Sequence, residues 1–237
     1  LCLYKKEAIS IRSLLKEKPE LGLSSNLILR MSPRFRRIKK LMEDGKFGDL
    51  FYIEGDYNYG RLHKITEGWR GEIDFYSVVY GGGIHIIDLF LWMTGDTIVE
   101  VDAYGNNISS RDRFKYNDTV VAILKFKSGM VGKLTVNYAC VFPHFHPLAI
   151  YGTDATFVNG LDKGLLFTSR DPKEKPKEIM EAYPGVHKGD LIHSFVDSIL
   201  NGAVSEVRQE DVFKAMSVCL SIEEALYKNS RVKVEYI

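Results

Sequence analysis

The stretch Tyr80-Gly81-Gly82-Gly83-Ile84-His85-Ile86-Ile87-Asp88-Leu89-Phe90-Leu91-Trp92-Met93-Thr94-Gly95 sets the frame for the rest of the chain. Three glycines, an apolar run and a closing glycine predict a mobile loop, a helix start, about three turns of buried helix and a stop. In the helical part the ionisable side chains are His85 and Asp88, three apart and so on one face near the N-terminal end. A core histidine held by a local carboxylate is the plain alternative. The triple glycine weighs against it, because glycine lets a flat ligand approach the backbone where the imidazole emerges. The partial positive charge of a helix N-terminus favours a neutral imidazole. Such an imidazole can accept a proton from a hydroxyl, the proton half of an alcohol–ketone interconversion.

Upstream, Glu7-Ala8, Ile11, Leu14 and Leu15 recur at helical spacing until Pro19, and Leu21–Leu29 reads as a buried strand. Pro33 starts a second helix whose apolar stripe, Phe35, Ile38, Leu41 and Met42, ends at Gly45. Strand, helix and glycine turn in that order look like the tail of a βαβ unit. Asp49–Tyr59 predicts a long strand with Tyr57 and Tyr59 on one side, as pocket lining or, more commonly for sheet aromatics, as core or interface. Residues 60–80 read as an ordered loop.

Downstream come strands at Ile98–Tyr104, Thr119–Lys127, Met130–Tyr138, Leu148–Tyr151, Ala155–Asn159 and Leu165–Thr168, with Ser128-Gly129 as a hairpin turn. Asp171 to Pro184 reads as an exposed loop, followed by helices at Lys188–Leu200 and Gln209–Tyr227 and a strand at Arg231–Tyr236. The expected fold class is α+β. Residues 31–237 form a domain with a large open, mainly antiparallel sheet flanked by helices, and residues 1–30 are the tail of a preceding α/β domain.

The totals exclude several classes. With 237 residues, 45% hydrophobic composition and a formal net charge of +1, the chain has a real core and no bulk field for nucleic acid or an anionic membrane. The basic run Arg34, Arg36, Arg37, Lys39 and Lys40 reads as a solvated helix face. Cys2, Cys140 and Cys219 are odd in number and far apart, which fits reduced cytoplasmic thiols and neither a disulfide framework nor a zinc site. The apolar run from Ile84 to Met93 is too short to span a bilayer. The chain starts with Leu, and the expectation is that its true N-terminus lies further upstream.

Leu1-Cys2-Leu3 with Glu7-Ala8, Arg30-Met31-Ser32-Pro33, Gly45-Lys46-Phe47-Gly48-Asp49, Trp69-Arg70, the run 81–88 with Trp92 and Gly95, and Asp118 to Gly129 are each weak signals. In that order and spacing the chain resembles the glucose-fructose oxidoreductase / inositol dehydrogenase / MocA family of nicotinamide-dependent dehydrogenases. The resemblance implies a Rossmann domain binding NAD or NADP, followed by an α/β domain with an open sheet, and an activity on a sugar, polyol or sugar derivative. No GxGxxG is present, so it also implies that residues 1–30 are the Rossmann tail and that the main cofactor site lies upstream of residue 1. Glu17-Lys18-Pro19 spells the family's catalytic Glu-Lys-Pro but closes a helix, where the family has a strand, and it reads as a decoy. Gly81 stands where many members carry an aspartate, one turn before the histidine.

His85 is therefore the candidate catalytic residue. Arg30, Arg70, Gly82, Gly83, Tyr57 and His193 are candidates for substrate contacts, with structural ion pairing the alternative for both arginines. Near His193, Asp190 reads at least as well as a helix cap. Asp88 reads as a structural contact. His144 and His146 lack the companions of a metal site, and a loop or subunit contact is the better reading. The expected partners are a small sugar or polyol and a second copy of the chain, as homodimer or homotetramer through the open sheet. A non-catalytic sugar-binding or assembly domain of the same fold is the competing reading.

Overall fold

The computed structural model describes residues 2–237, so Leu1 lies outside the described residues. The helices in chain order are α1 (Lys5–Glu17), α2 (Pro33–Glu43), the short α3 (His63–Thr66) and α4 (Trp69–Glu72), α5 (Ile84–Thr94), α6 (Asp190–Asn201) and α7 (Gln209–Lys228). The strands are β1 (Leu50–Asn58), β2 (Ile98–Asn106), β3 (Thr119–Phe126), β4 (Val131–Asn137), β5 (Leu148–Gly152), β6 (Thr156–Asn159), β7 (Gly164–Phe167), β8 (Lys177–Ile179) and β9 (Val232–Lys233). They form one sheet in the order β8-β7-β6-β5-β1-β4-β3-β2-β9. β1 and β4 pair in parallel and every other neighbouring pair is antiparallel. The class is the expected α+β with a large open sheet, of mixed direction at its centre.

Alternation along β1 buries Ile53 and Tyr57 toward the helices and leaves Tyr52, Glu54 and Asp56 on the opposite face. Gly55 makes the helix packing close: a Cβ there would stand 2.7 Å from Ile86 Cγ2 and 3.0 Å from the Phe90 ring. α5 therefore lies directly on the central strand and carries His85 to the end of that strand. α7 covers the next part of the same face, burying Val212, Met216, Cys219 and Ile222.

Three expectations are corrected. Leu21–Leu29 is no strand: residues 28–31 form a 3₁₀ turn and only Leu27 and Leu29 are buried in this stretch. The segment runs against α6 and the turn before α7, where Gly22 approaches Phe195 and the Ser24 hydroxyl donates to the Val207 carbonyl, so it lies beside no strand edge that could supply a ladder. Arg34 leaves the solvated basic face and is buried, donating to Asn159 Oδ1 at 2.9 Å and to the carbonyls of Gly160, Asp162 and Glu181. The segment 171–184 is not all loop, because β8 extends the sheet and buries Ile179.

The sheet face away from the helices stays open. Phe51, Tyr104, Val121, Ile123 and Val131 are exposed on or beside it, around Lys133, which sits 3.1 Å from Glu54 and 3.4 Å from Asp56. No helix among the described residues is long and apolar enough to cross a membrane.

Candidate active site

The parallel pairing of β1 with β4 brings the C-terminal ends of both strands to one edge, with Tyr57 opposite Val136 and Tyr138 just beyond. The bridge between Asn58 and Phe145 folds the 143–147 loop back onto the same edge. Tyr57, Tyr59, Tyr138, His144 and His146 thus gather at the start of α5. The His85 ring lies nearly parallel to Tyr57, 5.8 Å away at 14°. Tyr57 also stacks with Tyr59 at 5.7 Å and Tyr138 at 6.0 Å, while His144 and His146 meet it at 5.3 and 5.1 Å. Tyr57 is only 6% exposed, so it is the floor of this arrangement and not a free wall.

His85 has two unlike nitrogens. Nδ1 is sealed from solvent with no hydrogen-bond partner, and the half-buried side chain leaves Nε2 as the nitrogen at the accessible surface. Burial, with the neighbouring His144 second, pushes its pKa down to about 4, so the ring is neutral at neutral pH. This corrects the helix-terminus explanation. Val79–Gly83 already winds as a π-helical turn ahead of α5, so His85 does not stand at a free helix end, and desolvation keeps it neutral. Burial lowers the pKa of His144 and His146 as well, and His146 Nδ1 meets the Tyr183 hydroxyl at 2.5 Å. Among the described residues no three or more His, Cys, Asp or Glu are arranged to hold a metal.

The glycines serve packing, and the expected mobile loop is a wound helical turn. None of Gly81, Gly82 and Gly83 has positive φ. A Cβ at Gly82 would stand 2.5 Å from the Tyr57 ring, and one at Gly83 would stand 2.7 Å from Val136 Cγ2. Both glycines are buried against side chains of the sheet. Gly82→Ala is expected to lower stability by about 1–3 kcal/mol through overpacking against Tyr57, read as a drop in thermal midpoint.

The other candidates scatter. Arg30 is buried, with Nε and Nη2 on the two Asp88 oxygens at 2.8 and 2.5 Å and Nη1 on Asp211 and the Glu206 carbonyl at 3.1 Å each. Four of the five Arg30 N–H groups are thus taken by the protein, and Asp88 faces Arg30 in place of His85. Arg70 donates through Nε to the Tyr76 hydroxyl at 3.2 Å and lies 4.5 Å from the Trp69 ring, on the same side of the domain as His85. His193 is exposed on α6, which packs by the 28–31 turn. Asp190 accepts from the His187 amide at 2.8 Å, a helix-start contact. Lys18 is exposed at the C-terminal end of α1. The sequence reading missed Tyr76 and Tyr138, which carry no signal beyond aromatic character; only the fold brings them beside Gly81.

A dinucleotide finds no cradle here: among the described residues no glycine-rich turn joins a strand to a helix within a parallel βαβ unit. What these residues form is an aromatic floor with a neutral histidine over it. Over residues 35–158, just more than half the chain, the sequence matches the family model for the GFO/IDH/MocA C-terminal domain. The chain belongs to the GFO/IDH/MocA family. A myo-inositol 2-dehydrogenase of Thermotoga maritima is 20% identical over 93% of this chain and 67% of its own length. An inositol 2-dehydrogenase of Corynebacterium glutamicum is 20% identical over 74% of this chain. The chain spans about half the length of the latter, 54%. Among solved structures, levoglucosan dehydrogenase in complex with NADH and levoglucosan superposes with a TM-score of 0.80 at 20% identity, covering 98% of this chain and 71% of that one. Scyllo-inositol dehydrogenase from Lactobacillus casei, with bound NAD(H) and scyllo-inositol, gives 0.76 at 20% identity, with coverages of 98% and 70%. These likenesses place the fold of those dehydrogenases over 98% of this chain.

Proposed function

We propose that this chain is the substrate side of an NAD(P)-dependent oxidoreductase acting on a sugar, polyol or sugar derivative. The observation that carries the reading is the state of His85: a neutral imidazole with Nδ1 sealed and Nε2 accessible, over an aromatic floor. Nε2 takes the proton of a substrate hydroxyl as the alcohol becomes a carbonyl, and returns it in the reverse direction. The apolar surroundings hold the imidazole uncharged between turnovers, ready to accept. The names of the relatives, inositol and levoglucosan dehydrogenases, support the substrate class and a nicotinamide acceptor.

The test is reduction of NAD⁺ and NADP⁺ by the intact protein with a panel of myo-inositol, scyllo-inositol and levoglucosan. Saturable turnover with at least one is expected; no turnover with any, with either nucleotide, overturns the reading.

The open sheet face completes the proposal as an assembly surface. An exposed face with Val121, Ile123 and Val131 around the Lys133 ion pairs suits burial against a second copy, giving a dimer or a tetramer. Ile123→Glu places a charge in that face and is expected to shift the protein toward monomer in sedimentation at micromolar concentration. A wild-type monomer under the same conditions removes the assembly role.

A further inference from the structure

We propose that the hydroxyls of Tyr76 and Tyr138, held by Arg70 beneath Gly81, form a hydrogen-bond-donating subsite for a second oxygen of the substrate whose reacting hydroxyl meets His85. This rests on the oxidoreductase reading.

Hydrogen counting carries the argument. Arg70 Nε donates to the Tyr76 hydroxyl at 3.2 Å, and the Tyr76 and Tyr138 oxygens lie 3.4 Å apart. Two hydroxyl hydrogens belong to this pair, and only one can lie between the two oxygens. The other has no protein acceptor in the hydrogen-bond pattern of the described residues. Both rings are otherwise buried, at 6% and 2% exposure, so an unused donor here is costly unless a ligand or water oxygen receives it.

Gly81 leaves the way in. It is exposed, and a Cβ on it would overlap the Tyr76 hydroxyl and stand 2.9 Å from that of Tyr138. The pair lies directly beneath this exposed position without a side chain. Gly81 precedes His85 by about one helical turn, and Tyr138 and His85 both stack on Tyr57. The spare hydrogen and Nε2 of His85 therefore serve one small region. The half-buried Arg70 guanidinium polarises the Tyr76 hydroxyl and strengthens what the pair can donate. Burial holds the Tyr138 hydroxyl in its protonated, donating form.

The ligand chemistry follows. One group exchanges a proton with a hydroxyl while a second donates to a neighbouring oxygen, which selects a diol or polyol over a simple alcohol. A site built to bond a substrate oxygen rejects the analogue lacking it far better than an apolar pocket does.

The experiment uses the intact protein and the panel sugar with the highest kcat/KM. Tyr76→Phe and Tyr138→Phe are expected to raise KM, and the dissociation constant in calorimetric titration, by roughly tenfold while kcat stays within about threefold. Gly81→Ala is expected to reproduce the KM rise with both tyrosines present, because its methyl group displaces the Tyr76 hydroxyl. A purely structural role for the tyrosines predicts a lower thermal midpoint with unchanged KM. Unchanged KM and affinity in both phenylalanine variants, with His85→Ala inactive, overturns the subsite alone. A wild-type protein that neither binds nor oxidises any panel sugar overturns the subsite and the oxidoreductase reading together.

Discussion

His85→Ala is expected to lower kcat/KM by about 10²–10⁴, with affinity for the sugar changed far less, because the variant removes the imidazole proposed to take the substrate's proton. Its pKa of about 4 adds a second reading. An unperturbed histidine would put an acid limb near pH 6.5 in the kcat/KM profile, whereas here activity should stay level through that region and fall only as pH approaches 4. The same shift links to stability. The folded pKa lies below the unfolded value of 6.5, so the unfolded chain binds more protons between the two. Stability therefore declines as pH falls from 6.5 toward 4, and above 6.5 this group imposes no cost. His144 and His146 act in the same direction. Asp88, raised to about 6, acts in the opposite one, gaining stability as pH drops through that value. Wild-type turnover with a limb at pH 6.5, or an active His85→Ala, would sink the assignment.

What could be read from sequence depended on whether the information was local. The strands β1 to β7 follow from alternation and turn residues, and α5 follows from its apolar run and Gly95, whose φ of 64° makes the left-handed stop that glycine favours. Leu21–Leu29 failed because an apolar run says that a segment is buried and not what lies beside it. Leu27 and Leu29 reach the core, but no strand edge meets them. The three glycines failed in a related way. Glycine marks both flexibility and close approach, and only the positions of Tyr57, Tyr76 and Val136, from three other segments, decide between them. His85 stood out because it interrupts an apolar helix. Tyr76 and Tyr138 could not, since their significance lies in a hydroxyl contact between residues 62 positions apart. Arg30 and Asp88, weighed separately from sequence, turned out to belong to each other.

Asp88→Ala is expected to cost about 3–5 kcal/mol, because it strips the main counter-charge from an arginine that stays buried. For a chain of this size that is a fall in thermal midpoint on the order of 10 °C. The geometry explains the size of the effect. Arg30 grips both carboxylate oxygens of Asp88 on α5 and also reaches Asp211 at the start of α7, so one guanidinium ties the 28–31 turn to two helices. Burial alone would lower the Arg30 pKa, but Asp88 and Asp211 outweigh it and raise it, so the side chain cannot escape its predicament by losing its proton. Asp211 remains as a partial counter-charge in the variant, which places the cost toward the lower end. Arg30→Met combined with Asp88→Leu removes both charges together and is expected to recover most of the loss, since a well-packed apolar pair avoids desolvating two ions. The outcome also separates the two readings of Arg30. Variants that unfold early yet keep a normal KM below their midpoint fix it as a structural tie, whereas a stable Arg30→Met with a raised KM would return it to the substrate.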